Sequence, residues 1–139
     1  MSDLVGTVVD VVGFDVERGK IAEFARATHA EDPQHHHAHA LATATHVVVA
    51  GHHRDQAAFV EKLGLELSRI VVGSASWEYE RPLRAGDSLV GTRTVVADEH
   101  REGKRGGTMR LITLETVYVD TGSAVVVRQR EVLIERERR

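Results

Sequence analysis

Histidine is the residue type in this chain best suited to chemistry near neutral pH. The sequence holds nine histidines, with a dense run at His35-His-His-x-His39 and a pair, His52 and His53, directly after Gly51. An imidazole can accept or donate a proton at physiological pH. Imidazoles also bind zinc, but adjacent histidines on a loop point in different directions, and the chain has no H-E-x-x-H pair. The histidines therefore favour acid–base chemistry, and neither a metal nor another cofactor is expected.

The composition indicates one folded domain over residues 1–139. The chain is 42% hydrophobic, which is ordinary for a protein with a single core. Its net charge of −3 gives no reason to expect nucleic acid as a partner. Cysteine is absent, so disulfides and thiol chemistry are excluded. No apolar run approaches the ~18 residues of a membrane span and no signal peptide is recognisable, so a cytoplasmic protein is expected.

Helical patterns occupy the first half of the chain. An apolar stripe at i, i+3, i+4 and i+7 predicts a helix over Val16 to Thr28. The following stretch is polar and contains Pro33, which favours a loop. The predictions for this half are a strand over Gly6–Asp15 with a kink at Gly13, a helix over 16–28, a loop over His29–His39 and a second helix over Asp55–Leu65.

Strand patterns occupy the second half. Four runs rich in Val, Thr, Ile and Tyr are separated by turn-like sequences. Long strands joined by short turns predict an antiparallel sheet, and helices followed by such a meander predict an α+β fold. The predicted strands are Ser68–Glu80, Ser88–Asp98, Thr108–Asp120 and Ser123–Glu135.

Two motifs in the strand region carry a family resemblance. The stretch Trp77-Glu-Tyr-Glu-Arg-Pro-Leu-Arg-Ala-Gly-Asp87 and the later Thr113-Leu-Glu-Thr-Val-Tyr-Val-Asp120 with Gly122 resemble MaoC-like hot-dog dehydratases. The resemblance implies a curved antiparallel sheet wrapped around a central helix, paired as a double hot-dog. It also implies hydration or dehydration of enoyl and 3-hydroxyacyl thioesters carried on CoA or acyl carrier protein. Arg81 and Asp87 are interpreted as parts of the fold, since Pro82 ends a strand and Gly86 makes a turn.

The same resemblance proposes catalytic residues after the first helix. Family members carry an Asp, then Asn-Pro, then a His five positions after the Asp. Aligning Asp32-Pro33 with Asn-Pro places the His at His35 and puts Ala30 at the Asp position. A second alignment takes Asp32 as the catalytic Asp and His37 as the His. The first is favoured because Pro33 constrains the backbone.

A second loop is a candidate substrate-binding region. The family often enters its central helix through Ala-Pro-Pro-Thr-Phe, and here the interpretation places Gly51, His52, His53 and Arg54 at that point. Helix-start N–H groups could bind a thioester carbonyl, and His52 could act as a replacement acid or base. Arg84 is a candidate for the phosphates of the carrier.

Three functions stay open at this level. The chain is a hydratase or dehydratase, a non-catalytic acyl-binding subunit paired with a second hot-dog chain, or a hot-dog thioesterase using Asp55 or Glu61. The partners expected are an acyl thioester and a second subunit, in a homodimer or a heterodimer.

Overall fold

The computed structural model describes residues 4–137, which form five antiparallel strands in one curved sheet ordered β1-β3-β4-β5-β2. The strands are β1 Val8–Asp15, β2 Ile70–Tyr79, β3 Ser88–Glu102, β4 Thr108–Val119 and β5 Val125–Arg136. The α-helices are α1 Arg18–Ala27 and α2 Gln56–Lys62, and shorter 3-10 helices cover Pro33–His35, His46–His53 and Leu67–Arg69. The predicted α+β hot-dog fold is confirmed.

The core lies on the concave face of the sheet. Alternate residues of β4 turn inward and are buried, as the two-residue period of a strand requires: Ile112, Leu114, Thr116 and Tyr118. The 3-10 helix His46–His53, which we call the central 3-10 helix, packs in one cluster with Tyr118, whereas Ile112 and Leu114 pack in a second cluster with Leu63, at the end of α2. The central 3-10 helix contributes His46, Val47, Val49 and Ala50 as buried residues.

The predicted helix over Asp55–Leu65 is present but shorter, and Phe59, Leu63 and Leu65 of this segment pack against the sheet. The helix runs as α2, where the Asp55 carboxylate caps the start by accepting from the Ala58 N–H at 3.0 Å, and Gly64 ends it at φ +64°. No residue within α2 is buried. The apolar residues Val47, Val49 and Ala50 are buried in a separate core cluster, next to the one that Leu63 joins.

The first strand departs from regular pairing near Asp10 rather than at Gly13. The register shifts between Val8 and Asp10, whereas Gly13 pairs in step with Val90. The Asp10 carboxylate, beside this irregularity, forms ion pairs with Arg54 and Arg93. The pairing therefore shows no irregularity at Gly13, and the bulge lies beside the Asp10 ion pairs instead.

Strand β2 is an edge of the sheet and is poorly covered. It pairs with β5 alone, and residues 71–76 are exposed. Val72 is 64% exposed and Leu67, just before the strand, 55%. Within residues 4–137 no helix has the length and apolar character needed to cross a bilayer.

Candidate active site

His35 is the best-placed histidine of the dense run. It ends the short 3-10 helix that Pro33 begins, and it is 6% exposed. Its Nδ1 lies 2.7 Å from the Leu41 carbonyl oxygen, which can only accept a hydrogen bond. Nδ1 therefore carries the proton, and Nε2 keeps its lone pair. The Leu41 carbonyl thus fixes the orientation of the His35 ring.

A cleft of about 500 Å³ adjoins the 3-10 helix that ends at His35. We call it the His35 cleft because it is lined by Gln34, the chain neighbour of His35, and by Leu41, its hydrogen-bond partner; His35 itself is not a lining residue. The full lining consists of Gln34, Leu41–Ala44 and Tyr79–Leu83. Most of these side chains are apolar, and the hydrogen bond from the Ala42 N–H to the Leu83 carbonyl (2.9 Å) holds its two walls together. The cleft suits an acyl chain or another extended apolar group.

The Arg81–Asp87 pair builds one wall of this cleft. Arg81 Nη1 donates to Asp87 Oδ2 at 2.8 Å, and the same oxygen accepts the backbone N–H of Arg84, also at 2.8 Å. Gly86 adopts φ +96°, which favours glycine, so the turn closes tightly. These contacts agree with the structural interpretation of Arg81 and Asp87. Arg84 is exposed and its backbone bridges Leu41, which places it beside the cleft.

The alternative catalytic pair, Asp32 and His37, is exposed. His37 Nδ1 accepts the backbone N–H of His39 at 3.1 Å, a contact within the loop itself. His36 Nε2 bonds to the Ala30 carbonyl at 3.1 Å. Only His35, of this run, is buried against the fold, so the structure favours the alignment that Pro33 suggested.

The second predicted loop lies at the wrong end of the central 3-10 helix for helix-start N–H donors. Gly51, His52 and His53 form its last turn, where free carbonyl oxygens rather than N–H groups face outward. All three residues are exposed, and none lines the His35 cleft. Among residues 4–137 no hydrogen bond or ring contact joins His52 to His35, and Gly51 lies within the central 3-10 helix, so the roles expected for Gly51 and His52 stay predictions.

Arg54 turns into the protein. Its guanidinium pairs with Asp10 and donates to Tyr118 Oη at 3.2 Å, and its side chain is 9% exposed. Arg93 shares Asp10 and lies 3.9 Å from the centre of the Phe59 ring. Arg54 therefore joins the helical layer to the sheet, and its charge is already neutralised within the fold.

The segment before the central 3-10 helix lies at the cleft. The helix begins after Thr45, and Ala42, Thr43 and Ala44 form part of the wall of the His35 cleft.

His46 is a buried residue whose role the sequence did not reveal. It is fully buried, with ring centres 5.9 Å from Phe14 and 5.5 Å from Phe24, and neither ring nitrogen has a hydrogen-bond partner. Burial, together with a smaller effect of the Lys20 charge, lowers the pKa of His46 to about 4. The imidazole is neutral at pH 7. The sequence feature that could have indicated its burial is its place within the apolar run Thr45–Ala50.

Tyr79 supplies the second perturbed group of this region. Its hydroxyl donates to the Ala44 carbonyl oxygen across the cleft, and burial, followed by the effect of Tyr118, raises the pKa of Tyr79 to about 12. The phenol therefore stays protonated and positions the chain instead of acting as a base. Among residues 4–137, no three His, Asp or Glu side chains converge as a metal site would require.

The chain matches a family model along most of its length. The model described as FAS1-like, dehydratase domain region covers residues 3–129. This chain belongs to that family of MaoC-like hot-dog dehydratases. The UPF0336 protein of Clavibacter michiganensis is 35% identical over 127 residues, covering 81% of this chain and 78% of that relative.

Solved structures agree on the fold. The C-terminally truncated HadBC complex, a (3R)-hydroxyacyl-ACP dehydratase of Mycobacterium tuberculosis, matches with a TM-score of 0.75 at 19% identity, covering 96% of this chain and 98% of that one. The (R)-hydratase from A. caviae involved in PHA biosynthesis matches with a TM-score of 0.57 at 18% identity, covering 93% and 94%. Because both sequence identities are below 25%, these two structures show the fold of this chain and nothing about its activity.

Proposed function

We propose that this family member is a cytoplasmic subunit of an acyl-thioester hydratase–dehydratase acting on (R)-3-hydroxyacyl and enoyl groups in lipid metabolism. The observation that carries the proposal is the setting of His35. Its Nδ1 proton is fixed on the Leu41 carbonyl, which leaves Nε2 as the nitrogen that can take a proton, and the adjoining residues Gln34 and Leu41 line the cleft. The thioester would be carried on CoA or on acyl carrier protein.

The chemistry needs two proton-handling groups. In hydration, a base removes a proton from water as its oxygen adds to the β-carbon, and an acid delivers a proton to the α-carbon. His35 can perform one of these transfers. The family's Asp position holds Ala30, and no carboxylate among residues 4–137 hydrogen-bonds His35. The proposal therefore assigns the second group to a partner subunit with an intact Asp.

Known relatives support a role as one member of a pair. HadBC is described as a complex, and it shares this fold over nearly the whole chain. The exposed β2 edge offers a surface on which a second hot-dog chain can add its own edge strand. A homodimer of this chain is the alternative assembly.

The thioesterase alternative has less support. It requires a carboxylate from the central helical segment to activate water. Asp55 is committed to capping α2 through Ala58, and Glu61 is exposed on the outside of that helix. Neither residue lines the His35 cleft.

Turnover of crotonyl-CoA by the chain alone and by its complex with a dyad-bearing hot-dog chain tests the proposal. We expect the lone chain to turn over far below about 1 per second, the low end of ordinary enzyme rates, and the complex to be active. In the complex, His35→Ala should lower kcat about 100-fold or more, the scale for losing a general acid or base. His37→Ala, an exposed neighbour in the same run, is the matched control and should leave kcat unchanged.

Two results would contradict this assignment. Ordinary rates from the lone chain would show that it needs no partner. An unchanged rate in His35→Ala, together with a loss in His37→Ala, would transfer the role to the Asp32–His37 alignment.

A further inference from the structure

A second groove lies at the opposite end of the sheet from the His35 cleft. Its volume is about 1120 Å³. We call it the hairpin groove. It is lined by the β3–β4 turn, by the segment before β2 and by the end of β5: Glu66, Ser68, Arg69, Gly103–Met109, Arg136 and Glu137. Strand β2 begins at this groove and ends at the cleft, and its ten residues extend about 30 Å. The two sites of one chain are therefore separate.

The groove carries unpaired positive charge. Among the residues that the structure describes, Lys104, Arg105 and Arg136 form no ion pair through their side chains. Arg69 is different, because it pairs with Glu66 at 3.1 Å and lies 3.9 Å from Glu135. Three cations thus face a concave surface without protein counter-charges of their own, which attracts an anion.

The backbone of the turn already binds one anionic group. Gly106 and Gly107 adopt φ of +81° and +79°, a conformation that favours glycine. Just after them, the Thr108 N–H donates to the Glu137 carboxylate at 2.9 Å. Glycine-rich turns of this kind present N–H groups to anions. The Glu137 carboxylate therefore marks the position at which this turn binds a negatively charged oxygen.

We propose that the hairpin groove is a phosphate-binding site. A phosphate has more acceptor oxygens than a carboxylate and carries up to two negative charges, so it can engage the Thr108 N–H and the three cations together. The phosphate replaces the Glu137 carboxylate as the acceptor of the Thr108 N–H. The negative charge of the displaced carboxylate opposes phosphate binding. The phosphate can belong to inorganic phosphate or to a nucleotide such as the adenosine bisphosphate portion of CoA.

Calorimetric titration of the full chain with sodium phosphate and, separately, with adenosine 3′,5′-bisphosphate tests this site without any turnover. Removing two cations in Lys104→Ala/Arg105→Ala should weaken binding about tenfold or more, as expected for lost charge-assisted hydrogen bonds. Glu137→Gln should tighten binding severalfold, because it removes the competing charge. Tighter binding of the bisphosphate identifies a nucleotide source, and equal affinities identify inorganic phosphate.

The matched control is Arg18→Ala/Arg26→Ala, which removes the same two charges from exposed positions on α1. We expect its affinity to equal that of the unmodified chain, and the NMR signal of the Thr108 amide to shift on adding phosphate. The proposal is overturned if the control weakens binding as much as the groove variant, if the Thr108 amide does not respond, or if neither ligand binds. Because no catalytic step is measured, these outcomes are independent of the hydratase proposal.

Discussion

His46 shows how an ionisable side chain can be held neutral inside an apolar core. It contacts Phe14 and Phe24 at the head of the central 3-10 helix and has no hydrogen-bond partner. Charging an imidazole in this setting is costly because its solvation by water is lost. His46 therefore makes the free energy of unfolding depend on pH, although it is not one of the proposed acid–base residues.

Acidification should destabilise the protein through this residue. The pKa of His46 is about 4 in the folded chain, against 6.5 ordinarily, so unfolding takes up a proton between those values. Its effect is absent above pH 6.5 and grows as the pH falls, reaching about 3 kcal/mol of lost stability below pH 4. Urea unfolding of the protein and of His46→Phe at several pH values checks this. The difference between the two free energies of unfolding should widen on acidification, and a constant difference would refute the assignment.

Sequence patterns predicted the local turn at His35 better than they predicted long-range contacts. Pro33 fixed the turn that buries His35, a local effect visible in the chain. The role of Arg54 depended on Asp10 and Tyr118, which are 44 and 64 residues away in sequence. His46 was missed for the same reason, since the two aromatic rings around it come from β1 and α1. Contacts between residues that lie so far apart in sequence produce no periodic pattern in the local sequence.

Among the elements, β3 and β4 meet most closely at Gly91. A Cβ atom on this residue would lie 2.5 Å from the Tyr118 ring, whose hydroxyl is fixed by Arg54. The ring is buried within the sheet layer, so it has little room to move. Glycine here allows Tyr118 to cross over the neighbouring strand.

Gly91→Ala should therefore lower the free energy of unfolding by about 1–3 kcal/mol, the usual scale of overpacking. Gly13→Ala is the matched control on the adjacent strand β1, because no atom lies within 4 Å of its added Cβ. Thermal or urea unfolding compares the two. Equal losses in both variants would mean that the Tyr118 contact is not the cause.

The strands were predictable as elements because their alternation and their turns are encoded locally. All five strand predictions were confirmed, with ends shifted by a few residues. The segments that pack against the sheet were harder to assign, since Asp55–Leu65 carries good helix signals whereas His46–His53 is a short apolar run containing Gly51. Both segments contribute to the core against the sheet, a tertiary effect that the local helix signals of the first did not show for the second.

For the whole molecule, β2 is the surface on which association is expected. Its free edge and exposed residues suit continuation of the sheet into a second chain. Val72→Lys, which places a charge on this edge, should shift the protein to a monomer in light scattering at micromolar concentration. Val11→Lys is the control, because Val11 is 60% exposed on the opposite edge strand, β1. A monomeric unmodified protein, or equal dissociation by both variants, would exclude β2 as the interface.

The direction of β2 has a consequence for such a pair. Two copies joined edge to edge about a two-fold axis run in opposite directions, so the Ile70 end of each strand meets the Tyr79 end of the other. The His35 cleft of one chain would then open toward the hairpin groove of its neighbour, and each composite site would contain parts of both chains. In a heterodimer the symmetry is broken. One composite site would combine His35 of this chain with the β3–β4 turn of the neighbour. The other would combine the neighbour's cleft with the β3–β4 turn of this chain. The two sites would therefore differ in the ligands that they bind and the reactions that they catalyse.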